Sequence, residues 1–250
     1  MTVPVPHSAP AAEIARLAER QRKAGGPVMA VMLRIGGSVE KSLAGLPNGV
    51  RKGLDGAVRA ALWQAASVAR LGKHAPDIGP IGAPLAAAVA GAAGGAGGIA
   101  TAVAELPVTI TLILHAIAGA ARDEGFDPDD PWVRAECLKV LSGGSPADSD
   151  DGIDTALIGA RLTLNGPALQ KLIATIAPRL ATALGQKLAA QSVPVLGAVS
   201  GAAINAAFLN HYRELARIRF ALLRLVALNG AEAVLPAFRA ATAAPRITRA

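Results

Sequence analysis

Glu105 is the acidic side chain whose position in the sequence most suggests chemistry. It is the only charged residue between Asp77 and Arg122, and it directly precedes a predicted helix start at Pro107. A carboxylate in such an apolar stretch could act as a general acid or base. It could instead stabilise the helix N-terminus, where free backbone N–H groups and the helix dipole favour negative charge. Because no partner residue is evident nearby, we expect the structural role.

The histidines do not have the spacing of a catalytic or metal site. His115 lies one turn after Thr111 on the helix that begins at Pro107, and we interpret it as a core residue. The other three are scattered, and none forms the H-E-x-x-H pattern of a zinc site; they are His7, His74 and His211. The sequence therefore predicts no metal and no cofactor.

Two acidic clusters resemble cation sites at first sight. One contains Asp127, Asp129 and Asp130, and the other runs from Asp148 to Asp154. The second cluster places Gly152 at the fifth position and has no glutamate at the twelfth, so it is not an EF-hand loop. We interpret both clusters as helix caps and solvated loop, with Asp130 capping a helix that starts at Pro131.

The candidate nucleophiles lack the surroundings that activate them. Ser200 stands in G-A-V-S-G rather than G-x-S-x-G, and no predicted strand precedes it. Cys137 is expected to be a small core residue. The glycines between Gly91 and Gly98 lack the ending of a phosphate-binding loop. No catalytic residue is predicted.

Composition and periodicity indicate an all-α protein. Hydrophobic residues make up 52% of the chain but aromatic residues only 3%, and no segment alternates with a period of two. We therefore predict no sheet. The predicted helices are Ala11–Ala24 with Ile14, Leu17 and Ala18 on one face, Gly49–Gly72, Trp132–Ser142, Thr155–Leu164, Pro167–Lys187 and Leu215–Asn229. A mixed segment covers Val28–Leu46, and the first helix is expected to be loosely attached.

Three uncharged stretches are long enough to cross a bilayer: Ile78–Ala104, Leu106–Ala121 and Leu188–Tyr212. The first is mostly alanine and glycine, which gain little from insertion, so a buried helical hairpin is favoured over a membrane-inserted one. Glycines four residues apart, such as Gly91/Gly95, Gly94/Gly98 and Gly197/Gly201, would let two helices approach closely. The residues predicted to contact lipid or membrane are Gly91, Gly95, Gly98, Leu112, Ile113, Gly197 and Gly201.

Charge is distributed unevenly along the chain. Residues 1–77 carry 11 basic and 5 acidic side chains, residues 122–154 carry 3 and 10, and residues 155–250 carry 11 and 2. Two basic flanks favour anionic lipid or an acidic partner. Nucleic acid is not expected, because no reading motif or interleaved aromatic residues accompany the basic ones. One cysteine and the absence of a signal-peptide pattern predict a cytoplasmic protein.

The order of several short motifs resembles the EcsC family of bacterial proteins. They are Glu105-Leu106-Pro107-Val108-Thr109, Ile117-Ala118, Gly125-Phe126-Asp127, Arg134-Ala135-Glu136-Cys137-Leu138, Val193-Pro194-Val195-Leu196-Gly197-Ala198, Gly201-Ala202-Ala203-Ile204-Asn205, Phe208, Ala216, Phe220, Arg224-Leu225 and Asn229-Gly230. The resemblance covers roughly residues 50–240. It implies a helical protein whose founding member is encoded beside the parts of an ABC exporter, and it implies no reaction.

These observations predict a single helical domain with a Gly/Ala-rich central hairpin packed by amphipathic helices. The expected boundaries are 1–45 for an N-terminal extension, 46–242 for the EcsC-like domain and 243–250 for a disordered tail. The polar residues expected to be structural are Glu105, Thr109, Asp130, Arg134, Asn205 and Arg224.

The expected function is non-catalytic action at the cytoplasmic membrane surface, binding lipid or a transport or envelope protein. Two alternatives remain open: a hydrolase-type enzyme that uses Glu105 on an apolar substrate, and a soluble scaffold without lipid contact.

Overall fold

The described part of the chain is 91% helical. The computed structural model describes residues 10–24, 48–68, 106–141, 166–191 and 197–243, and no strand occurs among them. The seven helices are α1 (Pro10–Lys23), α2 (Asn48–Val68), α3 (Leu106–Asp123), α4 (Pro131–Val140), α5 (Gly166–Gln191), α6 (Gly197–Asn229) and α7 (Ala231–Thr242). The prediction of an all-α domain is confirmed.

The core is centred on the pair formed by α3 and α6, which has the most extensive contact of any two described helices. Ile110, Ile113 and Ile117 on α3 recur at helical spacing and are at most 1% exposed. Helix α2 packs on α3 and α5, while α4 contacts α3, α5 and α6. Helices α1, α6 and α7 each contact the other two.

Helix α6 corrects the predicted boundaries of this region. The sequence suggested an uncharged stretch to Tyr212 and a separate helix from Leu215, but one helix of 33 residues spans both. No glycine or proline occurs between Gly201 and Gly230, so nothing interrupts the backbone hydrogen bonds where the charged residues begin. The change in hydropathy along the sequence therefore marks a change in what surrounds α6 and does not mark a helix end.

Helix α7 was not predicted. Gly230 was expected to end the last helix, and it does end α6, but its backbone (φ 84°, ψ 147°) only turns the chain before α7 begins at the next residue. That conformation is nearly exclusive to glycine. Val234, Leu235 and Phe238 form the buried face of α7.

The predicted start of α4 is confirmed in its details. The Asp130 side chain accepts a hydrogen bond from the backbone N–H of Trp132 at 2.7 Å, and Pro131 occupies the first helical position. The preceding turn places Phe126 against Trp132 and Phe220, with ring centroids 5.8 and 5.4 Å apart. This turn therefore joins the start of α4 to α6.

Helix α1 has the predicted buried face, and its loose attachment stays a prediction. Ile14, Leu17 and Ala18 are at most 5% exposed, and the helix packs against α6 and α7. Its Glu13 in the first turn and basic residues in the last turn complement the helix dipole.

Several predictions fall outside the described residues. These are the segment Val28–Leu46, the hairpin Ile78–Ala104, the helix Thr155–Leu164 and all of the 243–250 tail except Ala243. Among the described helices, α3 is long and apolar enough to cross a membrane, with a mean hydropathy of 1.2. It is 44% buried, and a core helix of a water-soluble protein has the same length and composition.

We expect opposite effects from adding one methyl group at two glycines. No neighbouring atom lies within 4 Å of a Cβ built at Gly119 or Gly230. Gly119→Ala inside α3 should raise the free energy of unfolding by up to about 1 kcal/mol. Gly230→Ala should lower it by about 1–3 kcal/mol, because alanine cannot readily adopt the positive φ. Urea unfolding checks both, and equal stabilities would contradict the described bend at Gly230.

Candidate functional site

A buried ionic cluster of Glu136, Lys139 and Arg219 is the most unusual chemical feature of the described core. Glu136 Oε1 accepts a hydrogen bond from Lys139 Nζ at 2.7 Å. Glu136 Oε2 accepts from Arg219 Nε at 2.9 Å and from Arg219 Nη2 at 2.6 Å. All three side chains are at most 3% exposed. The cluster joins α4 to α6.

The sequence around α4 explains why this charge is enclosed. Residues 135–141 are all buried, so this part of α4 is covered on every side and Glu136 and Lys139 cannot reach water. Glu136 and Lys139 lie on one face because they are three residues apart. Desolvation of these ions is costly, and only their short, charge-assisted hydrogen bonds offset that cost.

The occupied carboxylate determines what the cluster can do chemically. Both oxygens of Glu136 already bind cations, so in this conformation the cluster positions α4 on α6 rather than offering an acid or base to a substrate. Lys187 on α5 is also fully buried, and α5 contacts both α4 and α6.

Cys137 lies beside the cluster as a neutral thiol. Its burial, and secondarily the negative charge of Glu136, raise the pKa of the thiol to about 12. A thiolate is the reactive form of cysteine, so this residue has little nucleophilic character near neutral pH. The prediction that Cys137 is a buried core residue is confirmed.

His211 is a second buried titratable group, on α6 near the end of α1. Its Nδ1 lies 3.2 Å from the backbone oxygen of Ala24, which can only accept, so Nδ1 carries the hydrogen. Its Nε2 is buried without a hydrogen-bond partner in the described chain. Burial lowers the pKa of His211, and the bond to Ala24 only partly opposes this effect. The ring of Tyr212 packs edge-on against the His211 ring, with the ring centroids 5.3 Å apart.

A partly exposed ionic network fastens α1 to the rest of the described structure. Arg20 binds Glu214 through two hydrogen bonds of 2.6 and 3.0 Å. Arg224 binds Glu13 at 2.6 Å and Glu124 at 3.0 Å. The hydrogen bond to Glu124 has the larger effect in raising the pKa of Arg224. These side chains are 20–41% exposed, unlike those of the buried cluster.

The predicted polar residues do not gather at one site. Asp130 caps α4, and Arg224 joins α6 to α1 and to the residue after α3. Thr109 and Asn205 are buried on α3 and α6, at 3% and 1% exposure. Arg134 is partly buried, and its Nε has no hydrogen-bond partner in the described chain.

The residues predicted to contact lipid are divided by the structure. Ile113 is 1% exposed in the core and Leu112 is partly buried against it, so in this conformation Ile113 presents no surface to a bilayer. Gly197 and Gly201 lie in the first turns of α6. Gly91, Gly95 and Gly98 lie outside the described residues, as does Glu105.

Sequence reasoning missed the buried cluster. Glu136 appeared only within a motif, and neither Lys139 nor Arg219 was singled out. The available signal was two opposite charges three residues apart in a short helix whose other positions are mostly apolar. The third member comes from a helix 83 residues away in the chain, and no local pattern identifies it.

Within the described residues there is no group of three or more His, Cys, Asp or Glu side chains that could hold a metal ion. The prediction that no metal or cofactor is bound stays a prediction.

Comparison with known proteins gives one informative match. The model of the EcsC protein family matches residues 63–225, which is more than half of the chain. No curated protein and no solved structure matches it. The matched region begins within α2, ends within α6 and includes the buried ionic cluster. Helices α1 and α7 lie outside it.

Breaking the buried cluster should cost far more than breaking a surface pair. We expect Arg219→Met to lower the free energy of unfolding by about 3–5 kcal/mol, because it removes a partner of a buried carboxylate. Arg217→Met on the same helix is the control, since that side chain is 38% exposed and 4.0 Å from Asp123. Its effect should stay below about 1 kcal/mol.

A triple variant with Met at 136, 139 and 219 should recover much of the lost free energy of unfolding, because the charges of the cluster are removed together. Chemical denaturation of the four proteins is the measurement. Equal stabilities of the Arg219 and Arg217 variants would contradict the burial of the cluster.

His211 should make the fold sensitive to acid. Its folded-state pKa lies below the unfolded value of about 6.5, so below that pH the unfolded chain binds a proton that the folded chain does not. Stability should therefore fall as the pH drops from about 6.5 towards the lowered pKa, by at most about 1.4 kcal/mol per pH unit.

His211→Asn is the matched variant, because its amide can donate to Ala24 without titrating. Unfolding free energies at pH 7.5 and 5.5 should differ less for this variant than for the wild type. The same acid sensitivity in both proteins would exclude His211 as the cause.

Proposed function

The chain belongs to the EcsC protein family, and from this premise we propose that it is a non-catalytic protein that binds the anionic cytoplasmic surface of a membrane. The contact we propose is with lipid headgroups. A transport or envelope protein in the same membrane is a further partner that the proposal allows.

The observation that carries the proposal is the imbalance of free charge on the described helices. Their acidic side chains are mostly engaged by basic neighbours: Glu13 and Glu124 by Arg224, Glu19 by Lys23, Asp55 by Arg59, and Glu214 by Arg20. Other basic side chains are exposed to solvent, including Arg16, Arg22, Lys171 and Arg239. The whole chain has a net charge of +7.

Such a surface favours anionic bilayers for a simple electrostatic reason. Each Lys or Arg close to an anionic leaflet contributes roughly 1 kcal/mol, and the attraction decays within a Debye length. Trp63 is 41% exposed on α2, and an indole ring is well suited to the headgroup region. Exposed Val108 and Leu228 add isolated apolar area, which alone would be normal for any surface.

The non-catalytic part of the proposal is supported by the state of the two best candidate groups in the described chain. Glu136 is saturated by cations, and the raised pKa of Cys137 keeps it a thiol. Neither group is arranged for nucleophilic or acid–base work.

We expect the protein to sediment with vesicles of phosphatidylglycerol and phosphatidylcholine at low salt, and not with vesicles of phosphatidylcholine alone. About 0.5 M salt should release most of it, because it screens charges separated by more than a few ångströms. For cell membranes, carbonate or salt washes should do the same. Protein that stays in the pellet after both washes would indicate a spanning segment, and absence from anionic vesicles would overturn the proposal.

A further inference from the structure

The N-terminal helix α1 is held to the protein by polar contacts near both of its ends. Near its start Glu13 binds Arg224, and near its end Arg20 binds Glu214. Beyond these, Arg22 donates to the backbone oxygen of Ala241 at 2.6 Å, and Ala24 accepts from His211. We call these four contacts the α1 latch.

The two faces of α1 have the chemistry of a helix that lies in a membrane surface. Ile14, Leu17 and Ala18 form one apolar stripe, which α6 and α7 cover in the described conformation. The remaining positions carry four basic and two acidic side chains, and Arg16, Arg22 and Lys23 are exposed. A short helix with an apolar stripe and a basic polar face binds anionic bilayers by inserting the stripe between headgroups.

Opening the latch would leave no ionic group stranded in the core. Arg224 keeps its hydrogen bond to Glu124 when Glu13 leaves. Glu214 stays in the electrostatic field of Arg213, its chain neighbour. Because the ionic contacts are partly exposed, each contributes little and is weakened by salt or competing ions. Helix α7 keeps its packing against α6.

We propose that α1 is a displaceable membrane-binding helix, docked on α6 and α7 in solution and transferred to an anionic lipid surface by opening of the α1 latch. This inference rests on the proposed membrane function and assigns it to one segment. Lipid phosphates replace Glu214 as partner of Arg20 and the Ala241 carbonyl as partner of Arg22. The apolar stripe of α1 leaves its contacts with α6 and α7 and contacts lipid acyl chains instead. Helix α1 also lies outside the region that matches the family, so the proposed anchor is an addition to the matched fold.

The test locks α1 in place in the full-length protein. Arg20→Cys and Glu214→Cys are combined and bridged with a short bis-maleimide, and the same double variant capped with N-ethylmaleimide is the control. Cys137 is buried and its high pKa leaves little thiolate to react. We expect the capped protein to bind phosphatidylglycerol-containing vesicles and the bridged protein to bind them at least about fivefold more weakly, which is about 0.7 unit or more in log affinity. Equal binding of both would overturn the displaceable helix while leaving the membrane function intact.

A second set of variants tests the same proposal if the bis-maleimide bridge fails to form. Glu214→Gln and Glu13→Gln each weaken the latch and should raise vesicle affinity about two- to fivefold, the worth of an exposed ion pair. Glu232→Gln on α7 changes net charge equally but lies at an exposed position without a latch contact. An equal gain from Glu232→Gln would show that only net charge matters and would overturn the inference. If the wild type, the capped protein and all three Gln variants fail to bind, the proposed function itself is wrong.

Discussion

The placement of Glu136 between Lys139 and Arg219 is the constraint on which the described core depends. A carboxylate with no exposure is tolerable only while its cations remain within hydrogen-bonding distance, and one of them comes from a helix 83 residues away. Apolar side chains alone would allow α4 to rotate or slide on α6 at small cost. The ionic contacts allow only one rotation of α4 about its axis and one position of α4 along α6, because any other arrangement leaves a charge without a partner.

The rest of the architecture follows from that alignment of α4 with α6. The Asp130 cap fixes the start of α4, and the Phe126–Phe220 contact holds the turn after α3 against α6. Glu124 in the same turn then reaches Arg224 on the next part of α6. Since Arg224 also binds Glu13, the position of α1 depends on the same stretch of α6 that the core positions.

Local signals predicted much of the fold, and non-local ones were missed. The helical spacing of Ile14, Leu17 and Ala18 identifies the buried face of α1, and the Asp130-Pro131 pair identifies the start of α4. Both signals could be found because each depends on residues within one or two helical turns. The continuity of α6 through Arg213 was missed because the surroundings of the helix change there, while the preference of the backbone for a helix does not. Helix α7 was missed because Gly230 reads as a stop, whereas its backbone also permits an immediate restart. Arg219 could not be predicted as a partner of Glu136, since distance in the chain hides the contact.

Two sets of ion pairs on α6 use the same residue types with opposite physical consequences. Arg219 and Glu136 are desolvated, so separating them would strand charge in the core, and the contact behaves as a permanent part of the fold. Arg20 and Glu214 remain 41% and 26% exposed, so water or salt ions can replace either partner, and a lipid phosphate can replace Glu214, at little cost. Burial, rather than the chemistry of the groups, separates a contact that positions helices from one that can be exchanged. If α1 is displaced at an anionic surface as proposed, the contacts of Glu136 can therefore stay intact.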